Sequence, residues 1–352
     1  MRHTLSPLTA ASSAGILAAI ALAILLPAVP AATRPHYGGT LRVEMRESIA
    51  TLDPPATGHG MAQLNGAFAI ARWEAGGRAV YEADDNAAGG RPFLDAVEIL
   101  MARPWREQSI DLELGKADLV ELGPNELRRQ PAGRKVWPSA PVRLVALVFG
   151  ARVEDARIRE ALALAVDRAA IHNVLLQRQG EISGALLPQW LSGYAFLFAT
   201  TPDTARARAL VSALPASART ISLAVDDASD TAARTVADRI ALNARDAGLI
   251  VSVAARAETA DVRLVEARIA SADPARALED LALALHLAEP AHTDSPDTLY
   301  AAERALLADF RVVPLFHLPD VYGVNPLVRG GPGITPLGEW RFDGLWLEGG
   351  KP

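Results

Sequence analysis

Residues 147–177, LVFGARVEDARIREALALAVDRAAIHNVLLQ, carry the most informative pattern in the chain. They begin as a short apolar strand that breaks at Gly150, and they continue as a regular amphipathic helix. Asp155 stands at the expected helix start, where an Asp cap is favourable. The apolar stripe of the helix consists of Ile158, Leu162, Ala165, Val166 and Ala169. We expect its polar face to consist of Arg157, Arg159, Glu160, Asp167 and Arg168.

Composition narrows the classes of protein that the chain can belong to. A length of 352 residues with 50% hydrophobic and 22% charged residues predicts about two folded domains. The net charge of −6 and the absence of nucleic-acid motifs argue against a nucleic-acid partner. The chain has no cysteine, which excludes disulfides, thiol catalysis and cysteine metal sites.

The amino terminus has the pattern of a secretory signal peptide. Arg2 and His3 precede an apolar run at 14–29, and small residues follow it. We therefore assign residues 1–32 to a leader that is cleaved near Ala31 or Ala32, with an uncleaved anchor as the alternative. No later stretch is long and apolar enough to span a bilayer, so we expect an exported, soluble mature protein.

The rest of the chain alternates strands and helices. A Gly76-Gly77 turn predicts a β-hairpin, and a helix at 231–247 between strands at 221–225 and 249–253 predicts a parallel βαβ unit. Thr201 followed by Pro202 predicts a helix start with Thr201 as its cap. Residues 124–133 are expected to be a polar connection.

Several of these segments resemble one family. Five motifs are typical of the extracytoplasmic solute-binding proteins that serve peptide and nickel ABC importers, known as solute-binding family 5. They are IREALALAVDRAAI (158–171), GGTLRV (38–43), TLDP (51–54), NAAGGRPFLD (86–95) and VVPLF (312–316). The resemblance implies an α/β, two-lobed periplasmic-binding-protein-like fold of type II. The step from TLDP to NGAF (65–68) is short, which implies that the small extra domain of the family is missing.

The resemblance also implies a division into lobes and a mode of action. Lobe I comprises residues 33–146 plus 312–352, lobe II comprises residues 147–311, and the crossings near 143–150 and 312–319 act as the hinge. A monomer captures a small, oligopeptide-like solute by hinge closure and delivers it to ABC permease subunits, in the periplasm or outside the cell. The usual lipid-anchor cysteine of the family is absent. The alternative function is that of a degenerate homologue that keeps the scaffold as an interaction or sensor protein.

Three residues are assigned to ligand binding. Trp190 and Tyr194 belong to an aromatic group with Phe196 and Phe198, which forms either a wall of the ligand cleft or packing for a loop. Peptide-binding members of the family carry a Trp-x-x-Asp pattern whose Asp pairs with the ligand ammonium. The matching stretch ARIASADP (267–274) has alanine at both positions, so this anchor is missing. Arg268 is assigned to an anionic ligand group, with a solvated surface arginine as the alternative.

Motifs of catalysis and of metal binding are lacking, so we expect no enzyme, no metal and no cofactor. P-loop, HExxH, GxSxG and Rossmann glycine patterns are absent. His317 near Asp320 is either an oriented base or, as we favour, a histidine at a strand end. Asp226, Asp227 and Asp230 either bind Ca²⁺ or, as we favour, cap the helix that follows them.

Overall fold

A computed structural model describes residues 34–50, 64, 66–194, 197–227 and 230–349. The leader, the TLDP segment, Asn65 and Phe196 lie outside these ranges. In the described part of the chain, eleven strands form one mixed sheet, which confirms the predicted α/β class.

Two long antiparallel strands form the centre of the sheet. These strands are β6 (Val136–Phe149) and β11 (Val312–Val324), and their pairing extends from Gly323 opposite Val136 to Val312 opposite Val148. We call the five strands on the β11 side of this pair half I of the sheet, and their order is β2-β3-β4-β1-β5, with β5 next to β11. Its strands are β1 (Thr40–Glu44), β2 (Phe68–Glu74), β3 (Arg78–Ala83), β4 (Ala96–Leu100) and β5 (Leu119–Glu121).

Half II lies on the β6 side of the pair in the order β10-β8-β9, with β10 next to β6. Its strands are β8 (Thr220–Val225), β9 (Ile250–Val253) and β10 (Val262–Arg268), and β7 (Glu181–Ile182) pairs with β11. Strands β8 and β9 are parallel and flank a helix, so the predicted βαβ unit is confirmed. A separate small sheet consists of β12 (Val328–Arg329) and β13 (Trp346–Leu347).

Most of the helices with described bounds cover half II. In the described ranges, half I carries α1 (Trp105–Glu113) and α2 (Pro124–Arg129). Those of half II are α3 (Ala156–Ala165), α4 (Arg168–Val174), α5 (Gln189–Ser192), α6 (Thr204–Ser212), α7 (Thr231–Asp246), α8 (Pro274–Ala284) and α9 (Pro296–Leu307). None of the helices in the described ranges has the length and apolar character that crossing a membrane requires.

Strand β6 shows why half II has three layers. Its alternate side chains Leu147 and Phe149 pack into the apolar cluster that includes Ile158 of α3 and Ile240 of α7. The intervening side chains, Leu144, Ala146 and Val148, pack into a second cluster on the opposite face with α8 and α9. Helices on both faces explain why this strand is an unbroken apolar run.

The central helix expected from residues 147–177 is in fact two helices. Val166 is extended at the end of α3, and the side chain of Asp167 accepts a hydrogen bond from Ala170 N (2.9 Å), which caps α4. The assignment of Arg159 and Arg168 to a polar face is wrong, because both are buried. Their guanidinium groups donate to backbone carbonyl oxygens, such as Val153 O from Arg159 and Pro314 O from Arg168.

Other boundaries also differ from the sequence predictions. Residues 124–133 are not only a connection, since they include α2, which begins with Pro124. The cap of α6 is Asp203 rather than Thr201, because Asp203 accepts from Arg206 N at 2.9 Å. The predicted hairpin is confirmed: β2 and β3 are antiparallel, and Gly76 lies in the turn with a φ of 70°.

Candidate functional site

A cleft of about 200 Å³ lies between half I and half II. From half I it is lined by Arg46, Trp105 and Pro124, which follow the carboxyl ends of β1, β4 and β5. From half II it is lined by Asp226, just after β8, and by Glu266 on β10. Strands β1, β4 and β5 are mutually parallel, as are β8 and β10, and ligands of α/β proteins bind outside the carboxyl ends of such strands.

The floor of the cleft is apolar. Its lining side chains come mainly from the central strands, from β10 and from the start of α7, and they are Val145, Leu176, Val236, Leu264, Phe316 and Leu318. Apolar walls with a few placed polar groups characterise sites for small molecules, and pockets for drug-sized ligands enclose about 300–1,000 Å³. The cleft therefore suits a smaller solute.

Arg143 links three strands beside the cleft. Its guanidinium contacts Glu266 of β10 at 2.8 Å and Asp320 of β11 at 3.0 Å, and it also donates to Pro319 O at 3.1 Å. Burial lowers the pKa of Arg143, but the charges of Glu266 and Asp320 outweigh burial and raise the pKa above its ordinary value. Arg143 stays charged and joins β6 to both neighbouring strands.

Arg46 and Asp230 meet across the cleft. Arg46 Nη1 lies 2.7 Å from Asp230 Oδ2, and the Arg46 guanidinium lies 4.4 Å from the centre of the Trp105 ring. Asp230 Oδ1 accepts from Ala233 N at 2.9 Å, which confirms the capping prediction for this residue. Asp226 and Asp227 line the cleft nearby. Within the described ranges, no three His, Asp or Glu side chains converge as metal ligands.

None of the three residues assigned to ligand binding lines this cleft. Trp190 is 41% exposed and donates from its indole nitrogen to Pro141 O at 3.1 Å. Arg268 pairs with Asp320 at 2.6 Å and donates to Leu337 O at 2.7 Å. Tyr194 lines a separate pocket of about 120 Å³. Their roles in ligand binding stay predictions.

The surroundings of Tyr194 favour the loop-packing alternative. Its ring makes edge contacts with Tyr300 and Phe198 at 5.4 and 6.3 Å between centroids, and its hydroxyl donates to Glu303. Glu303 has no solvent exposure and also accepts from the backbone nitrogens of Leu186 and Leu187. Burial raises the pKa of the Glu303 carboxyl to about 7, although these hydrogen bonds lower it.

His317 is a structural histidine inside β11 rather than at a strand end. Its Nε2 donates to Leu186 O at 2.8 Å, and burial lowers its pKa to about 4. The alternative of a base oriented by Asp320 is wrong, because the Asp320 carboxylate pairs with Arg143 and Arg268. The carboxylate near His317 is that of Glu181, 3.5 Å from Nδ1.

Sequence reasoning missed Arg46, Trp105, Arg143 and Glu266 as residues of the cleft. A positional signal for three of them was present, since Arg46, Trp105 and Glu266 lie at or just beyond the carboxyl ends of parallel strands. Using that signal requires the strand order, which local patterns do not supply. The acidic group 226–230 was noticed, but only as a cap or a Ca²⁺ site.

The mixed sheet and the cleft between its two halves have the architecture of a two-lobed, periplasmic-binding-protein-like fold. Residues 14–300 match the model of the bacterial extracellular solute-binding proteins, family 5, and the chain belongs to that family. It is a family of binding proteins rather than of enzymes. Among curated proteins, none matches the chain.

Solved structures share the fold at low sequence identity. An ABC-transporter substrate-binding protein, CtaP, from Listeria monocytogenes is 14% identical, with a TM-score of 0.67. The oligopeptide-binding protein AppA from Bacillus subtilis, solved with a nonapeptide, is 14% identical, with a TM-score of 0.63. NikA from Staphylococcus aureus, solved with Ni(L-His)2, is 13% identical, also with a TM-score of 0.63. Each match covers 80% of this chain but only 66%, 66% and 68% of the other, respectively. This agrees with the expected shortened form.

Proposed function

We propose that the chain is the extracytoplasmic solute-binding component of a peptide-type ABC importer. It captures a small solute between its lobes, closes about its hinge and delivers the solute to permease subunits in the membrane. The observation that carries this proposal is the cleft, which both halves line at the carboxyl ends of their parallel strands. Family membership supports the same function.

The lobes of this proposal follow the course of the chain. Lobe I comprises residues 33–146 plus 312–352, and lobe II comprises residues 147–311. Strands β6 and β11 pass from one half of the sheet to the other, and they supply the two hinge crossings. A cleaved leader at residues 1–32 would deliver the monomer to the periplasm or the exterior.

The solute is a small molecule with an apolar body. A volume of about 200 Å³ and a floor of Val, Leu and Phe side chains support a solute of the size of a dipeptide or a single modified amino acid. The nonapeptide bound by AppA is far larger. The alanines at 267 and 270 support recognition without the ammonium anchor of peptide-binding relatives.

Ligand binding can be tested on the purified mature protein. Native mass spectrometry would detect a co-purifying solute, and thermal shift would be measured against dipeptides, amino acids, sugars and a nickel–histidine complex. We expect stabilisation by an apolar dipeptide or amino-acid derivative, because a ligand at 100 times its Kd adds about 2.7 kcal/mol to the free energy of unfolding.

A matched pair of variants localises the binding. Ala232→Trp fills the cleft from the first turn of α7 and should abolish the shift. Thr235→Trp adds the same side chain at an exposed position of the same helix and should keep it. If neither native mass spectrometry nor thermal shift detects any solute, transport is overturned in favour of the degenerate interaction or sensor protein.

A further inference from the structure

Arg46 and Asp230 form an ion pair between the two walls of the cleft. Arg46 follows β1 of half I, and Asp230 precedes α7 of half II. The pair closes at 2.7 Å between Nη1 and Oδ2, although 184 positions separate the two residues in sequence. Both side chains line the cleft, so the pair borders the space that a solute would occupy.

Each member is held on its own side of the cleft. The Arg46 guanidinium stacks on Trp105 at 4.4 Å, and the Arg46 backbone nitrogen donates to Glu121 Oε2 at 2.6 Å. Asp230 uses Oδ1 to cap α7, which leaves Oδ2 for Arg46. Neither residue has to reorganise to form the pair, because its own half already orients it.

The pair lies in an environment that strengthens it. The Asp230 side chain is 4% exposed and that of Arg46 is 31% exposed. Burial lowers the pKa of Arg46, but hydrogen bonding and charge attraction from Asp230, with the charges of Glu266 and Glu121, raise it overall. A charge-assisted hydrogen bond that is partly shielded from water is stronger than a surface ion pair.

We propose that Arg46 and Asp230 form an ionic latch that holds the cleft closed. The latch rests on the proposed solute-binding function, in which Arg46 sets how readily the bound solute escapes. Opening of the cleft separates the two charges and exposes both to water, whereas Asp230 continues to cap α7. The latch therefore shifts the equilibrium between the open and the closed cleft. The folding of the two halves does not depend on it.

The latch can be tested without a solute. The chain has no cysteine, so Glu113→Cys and Asp238→Cys place spin labels on exposed positions of α1 and α7. Double electron–electron resonance then reports the distance between the two walls of the cleft. Arg46→Met removes the charge but keeps an unbranched side chain on Trp105, Asp230→Asn keeps the capping oxygen, and Arg46→Lys keeps the charge.

We expect the ratio of open to closed protein to rise about tenfold in Arg46→Met and in Asp230→Asn, as loss of a hydrogen bond to a charged group implies. Arg46→Lys keeps the charge but not the planar stacking on Trp105, so its ratio should lie between those of the wild type and Arg46→Met. Salt at about 1 M rather than about 0.01 M should open the wild type but not the two neutral variants.

Identical distance distributions in all four proteins at both salt concentrations would overturn the latch. If circular dichroism shows that Arg46→Met is misfolded, the comparison of Asp230→Asn with the wild type tests the latch. The solute screen tests the proposed function separately, because it can succeed whether or not the distances change.

Discussion

Glu303 shows how a single buried carboxyl group couples stability to pH. The carboxyl has no solvent exposure, and it accepts hydrogen bonds from Tyr194 and from the backbone of Leu186. Leu186 also accepts from His317 through its carbonyl, so both backbone polar groups of Leu186 are bound by buried side chains. The loop that carries Trp190 and Tyr194 therefore depends on the buried groups beneath it.

Replacement of Glu303 by Gln should change the pH dependence of stability. The folded-state pKa of Glu303 is raised from 4.5 to about 7, so the folded protein binds this proton more tightly than the unfolded chain does. The contribution of the protonated Glu303 carboxyl to the free energy of unfolding is fully present below pH 4.5 and is lost as the pH rises through 7. Relative to the wild type, Glu303→Gln should therefore gain about 3 kcal/mol in the free energy of unfolding between these values, at about 1.4 kcal/mol per pKa unit. Urea unfolding across this range measures the difference, and a constant difference would contradict the prediction.

Gly180 allows the chain to approach β11 closely. Its φ is 69°, and an added Cβ would lie 2.0 Å from His317 O. Gly115 has nearly the same φ of 68°, with no atom within 4 Å of an added Cβ. Gly115→Ala should therefore cost about 1–2 kcal/mol of unfolding free energy for the left-handed backbone. Gly180→Ala should cost about 1–3 kcal/mol more for the clash. Equal losses in chemical denaturation would contradict the assigned close approach.

Among the elements, the division between α3 and α4 depends on one cap. Asp167→Ala removes the acceptor of Ala170 N and should lower the free energy of unfolding by about 1 kcal/mol. Asp167→Asn keeps an acceptor at the same position and should lose much less. Glu154→Ala, at an exposed position before α3, is the control for loss of a negative charge. A loss in Asp167→Asn as large as that in Asp167→Ala would show that charge, rather than capping, matters at this position.

The elements also show what sequence patterns could and could not predict. The spacing in 158–166 identified an amphipathic helix, but the same pattern continued through Asp167, so the cap there was taken for a polar-face residue. Arg159 and Arg168 were assigned to solvent because a charged side chain usually lies there. Their carbonyl acceptors come partly from distant segments, such as Asp309 and Pro314, and a local pattern cannot reveal those contacts.

The residues that line the candidate site could not be predicted from the sequence, because their positions depend on the order of the strands. Family motifs predicted the fold, whereas the assignment of the aromatic group at 190–198 to the ligand cleft rested on composition alone. Arg46 and Asp230 lie at the cleft because β1 and β8 are on opposite sides of the β6–β11 pair. That arrangement is a property of the whole sheet, and it determines which side chains can meet a solute.

On the scale of the whole molecule, β6 and β11 should make the two halves unfold together. Each strand contributes to both halves, and their pairing runs almost from end to end. Neither half can lose its central strands while the other keeps them paired. The shared strands therefore couple the stability of the two halves.

Two spectroscopic probes can follow the halves separately. Five of the six tryptophans, at 73, 105, 137, 340 and 346, lie within residues 33–146 and 312–352, the proposed lobe I. Helices α3 to α9, which dominate the far-ultraviolet circular dichroism, belong to half II. We expect fluorescence and circular dichroism to give the same midpoint in urea, as one cooperative transition requires. Trp190→Phe removes the one tryptophan of half II and should leave the fluorescence midpoint unchanged. Two separate midpoints in that variant would show that β6 and β11 do not couple the halves.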